Sequence, residues 1–150
     1  MSYNQQVVIT NNQVITNYDL SKLFLFNNRY QTGSYTNSGY SAIFLPQGTV
    51  LGRVAATMAI VPLVSTATDG SQFPIGILSQ DYIVQAGAIT NVMYCVEGDV
   101  AQEQIGFING TDTFSTLVNG RPLFDRIQGD SVGLFLKSCV DLTNFDNPAV

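Results

Sequence analysis

The fold of this chain is decided by the stretch from Asp69 to Gly98, which reads DGSQFPIGILSQDYIVQAGAITNVMYCVEG. Asp69-Gly70 predicts a tight turn, because glycine adopts positive φ without steric cost. Pro74 fixes its own φ and withholds a backbone donor, so a strand should begin there and continue to Leu78. Two further β-rich runs follow, Tyr82–Val84 and Ile89–Val96. The stretch is rich in turn and strand signals and carries no reactive set, which indicates a shaped surface rather than an active site.

Gly76 lies inside the strand that starts at Pro74. A glycine weakens a strand unless another backbone or a bulky neighbour must come close at that point. We therefore expect strands or chains to approach each other closely at Gly76. The candidate subunit interface consists of Phe73, Pro74, Ile75, Gly76 and Ile77.

The amino-acid composition limits the classes of partner that the chain can have. It has 150 residues, of which 45% are hydrophobic and only 11% charged, less than half of the roughly 25% typical of soluble domains. The net charge is −5 and the six Lys and Arg residues are scattered, which argues against nucleic-acid and membrane-surface partners. The apolar run from Val50 to Val64 is too short to span a bilayer. The N-terminus MSYNQQVVIT lacks a classical secretion signal, so we expect the protein to be made and used from the cytoplasm.

The rest of the chain predicts a mainly β fold, β-rich α+β, with one or two short helices. Ser41–Leu45 and Thr49–Val54 flank a turn and are expected to pair as a hairpin. Met58–Val64, interrupted by Pro62, is expected to form an edge strand or a kink. The helix candidates are Thr113–Val118 and Arg121–Gln128, the second with Pro122 in its first turn and Gly129 at its C-cap. Ser131–Leu142 is the last strand candidate.

Two runs are apolar on both faces, Ile75–Leu78 and Val132–Leu136. Such strands need cover on both sides. A chain of this size has little internal cover to offer, so we expect a symmetric oligomer.

Residues 1–40 are richer in Asn, Gln, Tyr, Ser and Thr than residues 41–150. We therefore expect the chain to divide into an N-terminal arm, residues 1–40, and a compact β-rich domain, residues 41–150. An apolar pair of clusters flanks Asn11-Asn12 and predicts a hairpin, which is marginal by itself. Residues 27–39 have the composition of a loop or extended connector. Two interpretations of residues 1–40 are open: an extended arm that docks on a partner, or an ordinary first hairpin and loop of the domain. The candidate docking residues are Val7, Val8, Ile9, Val14, Ile15, Tyr18, Leu20, Leu23, Phe24 and Phe26.

Catalytic chemistry has little support. The chain contains no histidine, which removes the commonest general base and zinc ligand. Glu97, Asp99 and Glu103 are interpreted as solvated acids around a turn; a glycosidase-like pair or a weak calcium site is the alternative. Cys95 and Cys139 are interpreted as buried thiols, with a disulfide as the minority alternative. No nucleotide-binding motif occurs. We therefore expect no cofactor, no metal and no catalytic residues.

A family resemblance is carried by four short motifs in a fixed order. They are Val61-Pro62-Leu63, the turn Asp69-Gly70, the strand Pro74–Leu78, and a later strand ending in Glu97-Gly98-Asp99-Val100. This order resembles the head decoration proteins of tailed bacteriophages, of the phage lambda type.

The resemblance covers roughly residues 44–100. It implies a compact β-barrel or β-tulip-like domain without enzymatic activity that forms homotrimers. It further implies a place on the outer capsid surface at three-fold and quasi-three-fold positions. The major capsid protein would be the partner, and adjacent capsid subunits would be clamped. A receptor- or glycan-binding module of a phage head or tail fibre is the alternative, since tyrosines and asparagines are frequent between Tyr30 and Tyr40. The third possible function is that of an enzyme whose catalytic groups are carboxylates alone.

Overall fold

A computed structural model describes residues 4–7, 16–19, 23–129 and 133–138. Strands dominate these residues, which confirms the predicted mainly β fold. The strands are β1 Asn4–Val7, β2 Thr16–Asp19, β3 Phe24–Thr36, β4 Ile43–Leu45, β5 Val50–Arg53, β6 Ile60–Pro62, β7 Pro74–Leu78, β8 Tyr82–Val84, β9 Ile89–Ala101, β10 Leu117–Val118, β11 Arg121–Pro122 and β12 Gly133–Lys137. One α-helix, α1 Leu123–Ile127, and one 3-10 turn, Gln102–Gln104, complete the elements of the described residues.

Half of the strands in the described residues belong to one six-stranded sheet. Its order is β12-β9-β7-β5-β6, and β3 also pairs with β9. β9 is antiparallel to β3 and β7 and parallel to β12. Because β3 follows β9 from Ile89 to Val100, β7 and β12 must share the opposite edge of β9. The remaining strands form two-stranded ribbons, β1-β2, β4-β8 and β10-β11, and the sheet is not closed into a barrel.

The central strands β9, β7 and β5 separate two hydrophobic cores. Consecutive side chains of β7 point into different cores, Ile77 into the first and Leu78 into the second. α1 and β12 cover the first core, to which Leu123 and Ile127 contribute fully buried side chains. β3, β6 and the β4-β8 ribbon cover the second core. Full burial of a leucine or isoleucine side chain contributes roughly 1.5–3 kcal/mol to the free energy of folding.

This arrangement corrects the expectation that a second chain must cover the doubly apolar strands. β7 is covered on both faces within one chain, because it lies between the two cores. β12 alternates instead, with Leu134 and Leu136 buried and Phe135 exposed between them. Neither strand therefore requires an oligomer for the burial of its inner side chains.

The hairpin predicted between residues 41–45 and 49–54 does not form. β4 pairs with β8, whereas β5 pairs with β6 and β7. The turn at Pro46-Gln47-Gly48 directs β5 into the main sheet, where Gly48 adopts φ 90° and donates its N–H to the carbonyl of Leu78. The predicted edge strand is confirmed, since β6 ends the strand order of the sheet.

The loop predicted for residues 27–39 is also wrong, because β3 continues to Thr36. Although the segment is polar, it is stable as a strand because its backbone N–H and C=O groups form hydrogen bonds with β9. The pairing contains register shifts between Phe24 and Tyr30. Asn27 with φ 53° opposes Gly98 with φ 113° at this bulge. A Cβ at Gly98 would lie 2.6 Å from the carbonyl oxygen of Asn27, so the close approach requires glycine there.

Of the two helix candidates in the C-terminal half, the second forms an α-helix and the first does not. α1 begins directly after Pro122, and Gly129 follows its C-cap with φ 96°, as expected. Residues 113–118 form a turn and then β10. Asn119 and Gly120, which follow this helix candidate, both have positive φ and form the two-residue loop of the β10-β11 hairpin.

Gln128 covers the edge of β12 that faces away from β9. It forms an antiparallel bridge with Gly133. Its side-chain Oε1 accepts a hydrogen bond of 3.0 Å from the backbone N–H of Leu136. Part of the outer edge of the last strand is thus occupied by a residue of the same chain.

Candidate functional site

The predicted arm residues fall into three groups. Val7 lies in β1 and Tyr18 in β2, which pair in a register centred between Asn11 and Asn12, so the predicted hairpin is confirmed. Five of the candidates lie outside the described residues: Val8, Ile9, Val14, Ile15 and Leu20.

The last three candidates belong to the start of the central sheet. Leu23 is buried in the first core, and its carbonyl accepts a 2.8 Å hydrogen bond from the N–H of Ala101. Phe24 packs against the same core and meets Tyr30 edge to face at 5.5 Å. Phe26, by contrast, is 72% exposed. Of these three side chains, Phe26 is the one that presents most of its surface to a partner.

The candidate subunit interface lies mostly in the interior of one chain. Pro74, Gly76 and Ile77 are buried, and Phe73 is partly buried beneath the guanidinium of Arg126, 5.0 Å from its ring centre. Ile75 packs against the second core. Their burial has an explanation within a single chain, and a contact between copies at these residues stays a prediction.

The three acids considered for chemistry are divided among different contacts. Glu97 pairs with Arg29 at 3.5 Å, and Glu103 accepts a hydrogen bond of 2.8 Å from the hydroxyl of Ser138. Asp99 lies on the outer face of the sheet between β3 and β12. Within the described ranges, no cluster of three or more His, Cys, Asp or Glu side chains is placed to hold a metal ion.

Cys95 is a free, fully buried thiol. Burial raises the pKa of this thiol above its ordinary value, against the opposing effect of the backbone of Glu97 and of the hydrogen bond that the side-chain amide of Asn28 donates to the sulfur. A protonated thiol is a poor nucleophile. Cys139 lies outside the described residues, but because the Cys95 thiol is free, the structure does not contain the disulfide that was considered as the alternative.

Exposed apolar side chains form two pairs on different parts of the surface. Phe44 of β4 and Ile83 of β8 are direct cross-strand neighbours, 55% and 67% exposed. Phe26 of β3 and Phe135 of β12, 72% and 57% exposed, are both register partners of Asp99 on β9. Register partners in neighbouring strands share a face. We call the set of Phe26, Asp99 and Phe135 the outer row.

The bulge in β3 explains why Phe26 belongs to the outer row. Phe24 and Phe26 are two residues apart and would share a face in a regular strand. Their partners Val100 and Asp99 are consecutive, so the extra residue in β3 turns Phe26 to the opposite face. Asn28 supports the bulge, since its Nδ2 donates to the carbonyl of Asp99 at 3.0 Å.

Sequence reasoning missed Phe135 and the role of Asp99. Phe135 was hidden in a run that looked apolar on both faces, although the alternation of Leu134, Phe135 and Leu136 has the period of a strand with one exposed face. Asp99 could not be found because its neighbours come from β3 and β12, which are distant in sequence.

Comparison with known proteins identifies one family. The family model described as bacteriophage lambda head decoration protein D matches residues 26–116, more than half of the chain. The match includes β3 from Phe26 onward and every strand from β4 to β9. Comparison with curated proteins gave no match. In the part of the chain that the structure describes, no helix has the length and apolar character needed to cross a bilayer.

Proposed function

Since the chain belongs to the bacteriophage lambda head decoration protein family, we propose that it binds the capsid as a homotrimer at three-fold and quasi-three-fold positions. Its family gives it a structural role as a capsid-decorating protein of the virion. At those positions the trimer contacts neighbouring major capsid subunits and clamps them together. The match over residues 26–116 carries this proposal.

The N-terminal segment makes part of the capsid contact. The β1-β2 hairpin is an isolated two-stranded ribbon, which is marginally stable in water without a surface to pack on. A strand-forming segment of this kind gains main-chain hydrogen bonds when it adds to the sheet edge of a partner. We propose that residues 1–22 contact the capsid, because Leu23 and Phe24 are already engaged in the core of the chain.

Co-sedimentation with emptied, undecorated heads tests the function. The full chain should pellet with expanded heads and saturate at three copies per three-fold and quasi-three-fold position. Free chain remaining in the supernatant at all head concentrations would contradict the proposal. So would saturation at a copy number other than three at each of these positions, or binding to unexpanded heads alone.

A glycan-binding role remains the second candidate because Tyr40 is fully exposed and Tyr30 is 41% exposed. Exposed aromatic rings offer flat faces on which apolar sugar faces could pack. A glycan array separates the two functions, since a decoration protein should bind heads and no sugar.

A further inference from the structure

The outer row contains one carboxylate, that of Asp99, for which the described residues supply no side-chain hydrogen-bond or ion-pair partner. Asp99 lies between Phe26 and Phe135 at one level of three adjacent strands. Adjacent strands are about 4.8 Å apart, so the two phenylalanine backbones flank Asp99 at roughly 10 Å from each other. Among the described residues, no side chain donates a hydrogen bond to this carboxylate or forms an ion pair with it.

Glu97 on the same strand provides an internal comparison. Its register partner on β3 is Arg29, and the two side chains form an ion pair at 3.5 Å. One rung further along β9, the partner of Asp99 on β3 is Phe26 instead of a cation. Asp99 therefore has no cation as its direct register partner on β3 or on β12.

An arginine from another protein fits this arrangement. A guanidinium binds a carboxylate through paired N–H donors and also stacks on aromatic rings. Cations are attracted to the face of an aromatic ring within about 6 Å of its centre. With one ring on each side of Asp99, the outer row offers both contacts to the same side chain, and the exposed rings offer apolar area to its neighbours.

The position of the row favours the capsid as the partner. β3 begins at Phe24, so the row lies two residues beyond the N-terminal segment that contacts the capsid in the proposed function. A partner bound by residues 1–22 would meet Phe26 next. We infer that the outer row is a docking surface for an arginine-bearing, apolar segment of the head shell protein. This inference rests on the proposed function and adds the surface and the chemistry of its partner.

Binding of three variants to emptied, undecorated heads tests the inference. Phe26→Ser, Phe135→Ser and Asp99→Asn each remove one member of the row, and Asp99→Asn keeps the shape and the backbone acceptor for Asn28. We expect each to raise the dissociation constant about tenfold or more, as buried interface anchors do. Asp99→Asn should also weaken the dependence of binding on salt. Leu117→Ser is the matched control, because Leu117 is 63% exposed on the β10-β11 hairpin and should leave binding unchanged.

The outcomes separate this inference from the proposed function. If the unsubstituted chain does not bind heads, the proposed function fails and the inference with it. If the unsubstituted chain binds and all three variants bind equally well, the inference alone is overturned. It is also overturned if the variants bind heads normally but change the molar mass of the free protein, because the row would then contact a second copy. Melting temperatures close to that of the unsubstituted chain verify that each variant is folded.

Discussion

At the scale of the residue, Gly76 shows how closely two strands approach. A Cβ built on Gly76 would lie 2.5 Å from the carbonyl oxygen of Cys95 and 2.6 Å from Cδ2 of Tyr94. The close approach expected from the sequence is therefore confirmed, and it occurs between β7 and β9 of one chain.

We expect Gly76→Val to lower the free energy of unfolding by at least about 1–3 kcal/mol, because overpacking forces backbone or ring to move. Urea denaturation measures the change. Gly106→Ala is the control, since no heavy atom lies within 4 Å of a Cβ at Gly106. Equal stability of the two variants would show that Cys95 and Tyr94 yield without cost.

Asp112 makes a second prediction at this scale. Its carboxylate accepts hydrogen bonds from the backbone N–H and the hydroxyl of Ser65 and from Nδ2 of Asn109. Burial raises the pKa of Asp112, but these hydrogen bonds to the charged form outweigh burial, and the net pKa lies below its ordinary value. A carboxyl whose folded pKa is lowered adds stability above its unfolded pKa of about 3.9, and that stability is lost as the pH falls through the folded pKa.

Asp112→Asn should therefore destabilise the protein most near neutral pH, by about 1–3 kcal/mol for the impaired hydrogen bonds. The difference from the unsubstituted chain should shrink once the pH falls below about 4. Thermal unfolding at several pH values checks this. A difference that stays constant into the acid range would mean that the charge of Asp112 contributes nothing.

At the scale of the element, the boundary between arm and sheet is set by the start of β3. Removal of residues 1–22 leaves Leu23 in the first core and the whole of β3 on β9. We expect this truncated chain to fold and to bind heads much more weakly. Removal of residues 1–26 also deletes Leu23, and loss of a buried leucine side chain costs about 2–5 kcal/mol. Denaturation midpoints compare the two truncations. Equal midpoints would place Leu23 outside the cooperative core, and undiminished head binding would rule out the arm.

Elements fixed by local chemistry could be predicted from the sequence. β8 has the predicted bounds, and Gly70 adopts φ 103° at the predicted turn because glycine carries no Cβ. Pairing partners could not be predicted, since β4 finds its partner beyond β5, β6 and β7. β3 was missed because its polar sequence lacks the alternation of a strand, and its stability comes from pairing with β9. The outer row depends on those pairings, so the sequence suggested Phe26 as an arm residue and did not suggest Phe135.

At the scale of the whole molecule, two pairs of exposed apolar side chains among the described residues lie on different strands, Phe26 with Phe135 and Phe44 with Ile83. A protein that contacts both its own copies and a shell needs separate surfaces for the two. We expect light scattering to give three times the chain mass of 16.3 kDa, or a monomer that trimerises only on the head. A dimer that persists over a wide concentration range would contradict a trimer.

The covering of β12 by Gln128 has a consequence for the protein in solution. An uncovered terminal strand offers its N–H and C=O groups to the same strand of other molecules, and repeated addition of this kind builds cross-β fibrils. With the N–H of Leu136 already bonded to Gln128, an incoming strand meets an occupied donor at that edge. Gln128 is in this sense a gatekeeper: it disfavours open-ended polymerisation along β12 and leaves the exposed side chains of the sheet face available for closed, specific assembly.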